Sequence, residues 1–101
     1  MTDAATSPDA AAKLVIAFVR GAIADETAAA AITPETPLIG GEAALSSMKL
    51  VELCVALEDA AIDQGFEFDW TSEAAMSRLK SMFRSVQALA DEYARQSTQA
   101  A

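Results

Sequence analysis

The apolar residues of this chain recur every three or four positions in three separate stretches, a spacing that puts each set on one side of a helix. The stretches are Ala11, Leu14, Val15, Phe18 and Ala22; then Leu50, Leu53, Cys54, Leu57 and Ala61; then Val86, Leu89, Ala90 and Tyr93. Only Phe66, Phe68 and Trp70 alternate with polar residues, and nothing else looks like a strand to pair with them. That segment therefore reads as a connecting loop with its aromatics turned toward the core. Glycine and proline are few, and Ala, Leu, Glu, Gln, Lys and Arg are plentiful, which favours helix throughout. A chain of 101 residues is long enough for one core.

Local signals set the expected boundaries. Ser7-Pro8-Asp9 is a capping hydroxyl, a proline and an acid, so the first helix is expected over Pro8 to Ala24. The second begins near Ser46 or Ser47 and runs to about Gln64, with Gly65 as its stop. The third spans Glu73 to Met82, capped by Thr71 or Ser72, and places Met76, Leu79, Met82 and Phe83 against the second. The fourth runs from Val86 to Gln96 with Ser85 as cap. Between the first two lies a long loop with prolines at 34 and 37 and the Gly40-Gly41 pair, where Leu38 and Ile39 are apolar enough to be pinned on the core. The expectation is an all-α domain over 8–96, a small four-helix bundle, with disordered ends at 1–7 and 97–101.

The formal net charge is −8, unevenly placed: residues Glu42 to Glu73 hold eight acids and one base, Lys49. From Ala74 onward Arg78, Lys80, Arg84 and Arg95 outnumber Asp91 and Glu92. An acidic middle disfavours nucleic acid and anionic membranes and suits partners with basic patches. No histidine occurs, which removes the commonest general base and metal ligand. There is no CxxC pair and no glycine-rich phosphate loop, and no carboxylate pair at a spacing that suggests a site. Neither a metal site nor self-contained catalysis is expected. Cys54 falls on the core face, where a free thiol behaves as a buried hydrophobe. No apolar run approaches the ~18 residues of a membrane span, and no basic leader precedes the first apolar stretch, so the expected location is cytoplasmic.

The second helix carries the most information. At ~100° per residue its core face is Leu50, Leu53, Cys54, Leu57 and Ala61. A second face roughly 140° away collects Met48, Val51, Glu52, Val55, Glu58 and Asp59. Aliphatics set among carboxylates suit a docking surface, the former giving contact area and the latter steering a basic partner. Covering of Met48 and Val51 by a neighbouring segment is the structural alternative. At the head of this helix Ser46 and Ser47 are both placed to cap it, and a helix N-terminus also favours an attached anion.

The run Leu45-Ser46-Ser47-Met48-Lys49-Leu50-Val51-Glu52-Leu53 is similar to the signature of acyl carrier proteins, a Leu-Asp-Ser-Leu/Met element followed by Val-Glu-Leu. Ile32 to Leu38 also resembles the loop of carrier domains, and Ala56-Leu57-Glu58-Asp59 the acidic end of their second helix. The likeness covers Ile32 to Asp63 well and the flanking helices by pattern alone. It implies a bundle of that type whose serine bears 4′-phosphopantetheine, transferred from coenzyme A by a phosphopantetheinyl transferase. The arm's thiol then holds an acyl or aminoacyl group as a thioester. The family serine stands five positions before the Glu of Val-Glu-Leu, and counting back from Glu52 selects Ser47. The family's recognition face maps onto Val51, Glu52, Val55, Glu58 and Asp59.

The implied partners are that transferase, a loading ligase or acyltransferase, and downstream biosynthetic enzymes with basic docking patches; the implied state is a monomer. Two positions depart from the pattern: Ser46 replaces the family's aspartate and Ala44 its glycine. The loop before the serine is longer than in fatty-acid carriers, as in a specialised subset found beside biosynthetic enzymes. Two functions follow: a carrier loaded at Ser47, or an unmodified module of the same fold that docks a basic partner through its acidic face. Trp70 either packs in the core or closes over a tethered chain.

Overall fold

The computed structural model describes residues 7–23, 25–40 and 45–100, and every regular element among them is helical. Serine and aspartate caps set where the chain starts to coil. Ser7 Oγ accepts the Ala10 amide at 3.1 Å and opens α1 (Pro8–Gly21). Asp25 accepts the Thr27 amide and opens α2 (Glu26–Ala30). Ser46 opens α3 (Ser47–Asp63) and Ser72 opens α4 (Glu73–Ser77). The short α5 (Leu79–Met82) follows, and Ser85 Oγ accepts the Ala88 amide at the head of α6 (Val86–Ala100). Each bond satisfies an amide that the helix itself leaves free.

Four departures from the expected boundaries have physical causes. Gly21 ends α1 three residues before Ala24, and Arg20 beside it turns back to the carbonyls of Ala29 and Ile32, each at 3.1 Å. Those contacts tie the end of α1 to α2, which occupies ground expected to be loop. The third expected helix is divided at Arg78, whose amide bonds Ala75 three residues back at 2.9 Å, closing a tight turn. Its guanidinium reaches across to Glu92 at 3.1 Å. Finally, α6 continues four residues past Gln96; Ser97 is buried and Thr98 Oγ1 donates to the Ala94 carbonyl. Residues 97–100 are thus helical, and residues 1–6 lie outside the described part.

The core forms where α1 packs lengthwise on α6, with α3 against α1 and α5 against α6. Val15, Val19, Leu57, Leu89 and Tyr93 are fully buried there, joined by Leu38 and Phe68 from the connections. Glycine is needed twice among the described residues: at Gly40, φ +97°, in the loop, and at Gly65, φ +90°, which ends α3. The Gly65 amide bonds Ile62 O and the Phe66 amide bonds Ala61 O, the paired closure that turns a chain sharply off a helix.

The loops are held by hydrogen bonds to distant elements. The Val86 and Gln87 amides, free at the head of α6, donate to Thr36 O and Pro34 O at 2.9 and 2.8 Å. The extended segment after Gly65 has no strand partner among the described residues; at Asp69 the buried Gln96 side chain takes that place. Its Oε1 accepts the Asp69 amide at 2.6 Å and its Nε2 donates to Asp69 O at 2.8 Å. Phe66 and Phe68 are buried as their alternation predicts, and Trp70 is half-buried.

Candidate functional site

The two serines at the head of α3 have different jobs. Ser46 is the cap: its backbone is extended and its Oγ accepts the Lys49 amide at 3.2 Å. Ser47 is the first helical residue; its side chain is exposed and makes no hydrogen bond among the described residues. Ser46→Ala is therefore expected to lower stability by about 1 kcal/mol, while Ser47→Ala leaves it within about 0.5 kcal/mol; urea unfolding of the two variants distinguishes them. The hydroxyl that capping leaves free is also the one nearest the unpaired amides and positive dipole end of a 17-residue helix, where a phosphodiester is well accommodated.

Beside Ser47 lies an apolar hollow that opens to the surface. A cavity of about 370 Å³ lies between the first two turns of α3, which contribute Ser47, Leu50, Val51 and Cys54, and the chain opposite. Trp70, Met76, Leu79 and Phe83 form the opposing wall, and the lining is almost wholly apolar. Met76 remains 55% exposed, so an unbranched, flexible side chain stands at this wall with room to move. A second cavity of about 290 Å³ opens on the other side of Ser47 and Leu50, under Leu38, Ile39 and Leu45. Both volumes meet at the same serine, and both border Leu50, which is why this core-face residue is only half-buried.

Cys54, on the cavity wall, is no nucleophile. Burial first, and the Glu58 carboxylate second, push its thiol up to about 12, so it stays protonated. Leu53, Leu57 and Ala61 are buried beside it, as helical phasing requires.

The second face of α3 is open. Met48 is 73% exposed, Val51 49% and Val55 45%, and no described segment covers them. Glu52 and Asp59 stand exposed among them, while Glu58 is half-buried. Lys49 Nζ lies 3.5 Å from Glu52, an exposed pair worth little to stability. The structure thus brings all six face residues and Ser47 onto the outer side and head of one helix. Sequence reasoning passed over Ile62, 68% exposed, although it sits seven residues after Val55 and continues the same stripe. It also missed the cavity, whose far wall comes from segments that no local pattern brings to Ser47.

Among the described residues no cluster of acidic, cysteine or histidine side chains is arranged to hold a metal ion. No helix among them is long and apolar enough to cross a membrane. No family model, curated protein or solved structure matches this chain.

Proposed function

We propose that the protein is a carrier that bears 4′-phosphopantetheine on Ser47 and presents a thioester-bound acyl or aminoacyl group to biosynthetic enzymes. The observation that carries this reading is the position of the Ser47 hydroxyl: uncommitted, exposed, at the head of a long helix and on the rim of an apolar cavity. Ser46 takes over the capping role, so Ser47 can be esterified without loss of a structural hydrogen bond. The arm would leave the helix head beside the aliphatic and acidic stripe from Met48 to Asp59, which suits partners presenting basic and apolar groups around their active-site entrances. The protein itself needs no catalytic group for this role, since loading and transfer belong to its partners.

Incubation with coenzyme A and a broad-specificity phosphopantetheinyl transferase, read by intact-mass spectrometry, tests the assignment. One phosphopantetheine is expected on the wild type and on Ser46→Ala, and none on Ser47→Ala. A gain that survives Ser47→Ala moves the site elsewhere. Absence of any gain removes the carrier role and favours the second reading, a docking module of the same fold. The replacement of the family aspartate by Ser46 is the specific observation behind that alternative.

A further inference from the structure

The short α4–α5 segment has two sides. Met76, Leu79 and Phe83 turn to the apolar cavity, whereas Arg78, Ser81 and Met82 line a separate groove of about 210 Å³ facing α6. Arg84, Arg95, Asp91 and Glu92 complete the groove, so three arginines converge there in a chain of net charge −8. We propose that this groove is a second docking site, which receives a protruding carboxylate side chain, Asp or Glu, of a partner protein. It is independent of Ser47 and goes beyond the carrier reading.

Glu92 organises the site and is consumed by doing so. Its carboxylate accepts from Arg78 Nη2 at 3.1 Å, from Arg95 Nε at 3.0 Å and Nη2 at 2.6 Å, and from Gln96 Nε2 at 2.8 Å. Burial raises its proton affinity, but the hydrogen bonds from Arg95 and Gln96 and the two arginine charges outweigh burial and hold it below the usual carboxylate range. Asp91 accepts from Gln87 at 2.8 Å. The Arg84 side chain is exposed and has no hydrogen bond or ion pair among the described residues. Arg78 Nε, buried, meets no acceptor among them either. Two guanidiniums, of Arg78 and Arg95, are thus held in place by Glu92 and a third, of Arg84, is uncommitted beside them, an arrangement suited to a planar carboxylate.

Size and charge select the occupant. At about 210 Å³ the groove falls below the ~300 Å³ at which small-molecule sites begin, yet it admits one side chain, with Met82 and Ala88 available to an aliphatic stem. A polyanion such as nucleic acid is repelled by the acidic remainder of the chain. The two carboxylates on the wall disfavour a dianion such as phosphate over a single negative charge.

The test is NMR titration of the full-length protein, following arginine Nε–H signals, with a capped Gly-Gly-Glu-Gly peptide, its Gln counterpart and inorganic phosphate. Saturable shifts at Arg78, Arg84 and Arg95 are expected with the Glu peptide alone, weakening as salt is raised. Arg84→Ala should reduce affinity about threefold to fivefold, and Lys80→Ala, an exposed charge outside the groove, should leave it unchanged. Equal shifts with the Gln peptide, or no saturation, overturn the proposal. So does unchanged affinity in Arg84→Ala, whose exposed side chain makes no hydrogen bond or ion pair among the described residues. Tighter binding of phosphate than of the Glu peptide also overturns it and makes the groove a phosphate site.

Discussion

Replacing Tyr93 by alanine is expected to cost about 3–5 kcal/mol of unfolding free energy, a large part of the 5–15 kcal/mol that holds a typical domain together. The ring is fully buried on α6 and is the point where three parts of the chain meet. It packs edge-on against Phe66, centroids 5.1 Å apart at 72°, and tilted against Phe68 at 5.4 Å. Its hydroxyl donates to Gln64 Oε1 at 3.1 Å, which ties it to the end of α3. Burial first, and Asp63 second, push the phenol up to about 12, so it remains a donor across the ordinary pH range. Tyr93→Phe keeps the packing and removes the hydroxyl, leaving Gln64 with one donor fewer; a loss of about 0.5–1.5 kcal/mol is expected. Urea unfolding followed by circular dichroism separates the two effects. If the alanine variant lost no more than the phenylalanine variant, the aromatic cluster would not be the keystone of this core.

What was legible in the sequence is what depends on a few neighbouring residues. Ser7 and Ser85 are read as caps, and Thr71 or Ser72 as a third of which Ser72 is the one used, because a cap's partner lies two or three residues on. Gly65 is read as a stop because only its own backbone decides the matter. The break at Arg78 was not legible, since the group that draws this side chain aside is Glu92, fourteen residues away. The segment after Gly65 is read as a connecting loop with its aromatics turned inward, and Phe66 and Phe68 are buried accordingly, because side-chain alternation reports burial and not backbone pairing. Its Asp69 amide and carbonyl are bonded by Gln96, a role no period in the sequence announces. Asp25-Glu26 did offer a cap for α2, but that helix buries no side chain, so it left no apolar stripe to notice.

The candidate site divides along the same line. Helical phasing found both faces of α3, because the angle between residues on one helix is fixed by its geometry. It could not say which serine is the cap, since both are chemically fit for it; the bond from the Lys49 amide decides that. Nor could it show that Leu50 borders empty space. A cavity is a property of two surfaces, and the second surface comes from residues 70–83, whose course depends on the turn at Gly65, the Gln96 clamp and the break at Arg78.

Under the carrier proposal, that cavity should govern how long a loaded chain survives. An aliphatic chain placing about five methylenes inside gains about 4 kcal/mol and loses about 2 kcal/mol on ordering. The remaining ~2 kcal/mol keeps it enclosed well over nine-tenths of the time. Hydroxylamine cleavage of an octanoyl thioester on the arm is then expected to run at least about tenfold slower than that of an acetyl thioester, whose short chain cannot reach the apolar wall. Trp70, half-buried on that wall, should change its fluorescence on octanoyl loading and not on acetyl loading. Leu50→Trp fills the space where both cavities meet and should return the octanoyl rate to the acetyl value. The same variant must still accept phosphopantetheine at Ser47, which separates a blocked cavity from a lost fold. Equal cleavage of the two thioesters in the wild type would leave the cavity without a part in holding cargo. Slow cleavage that persists in Leu50→Trp would place the chain's shelter elsewhere on the molecule.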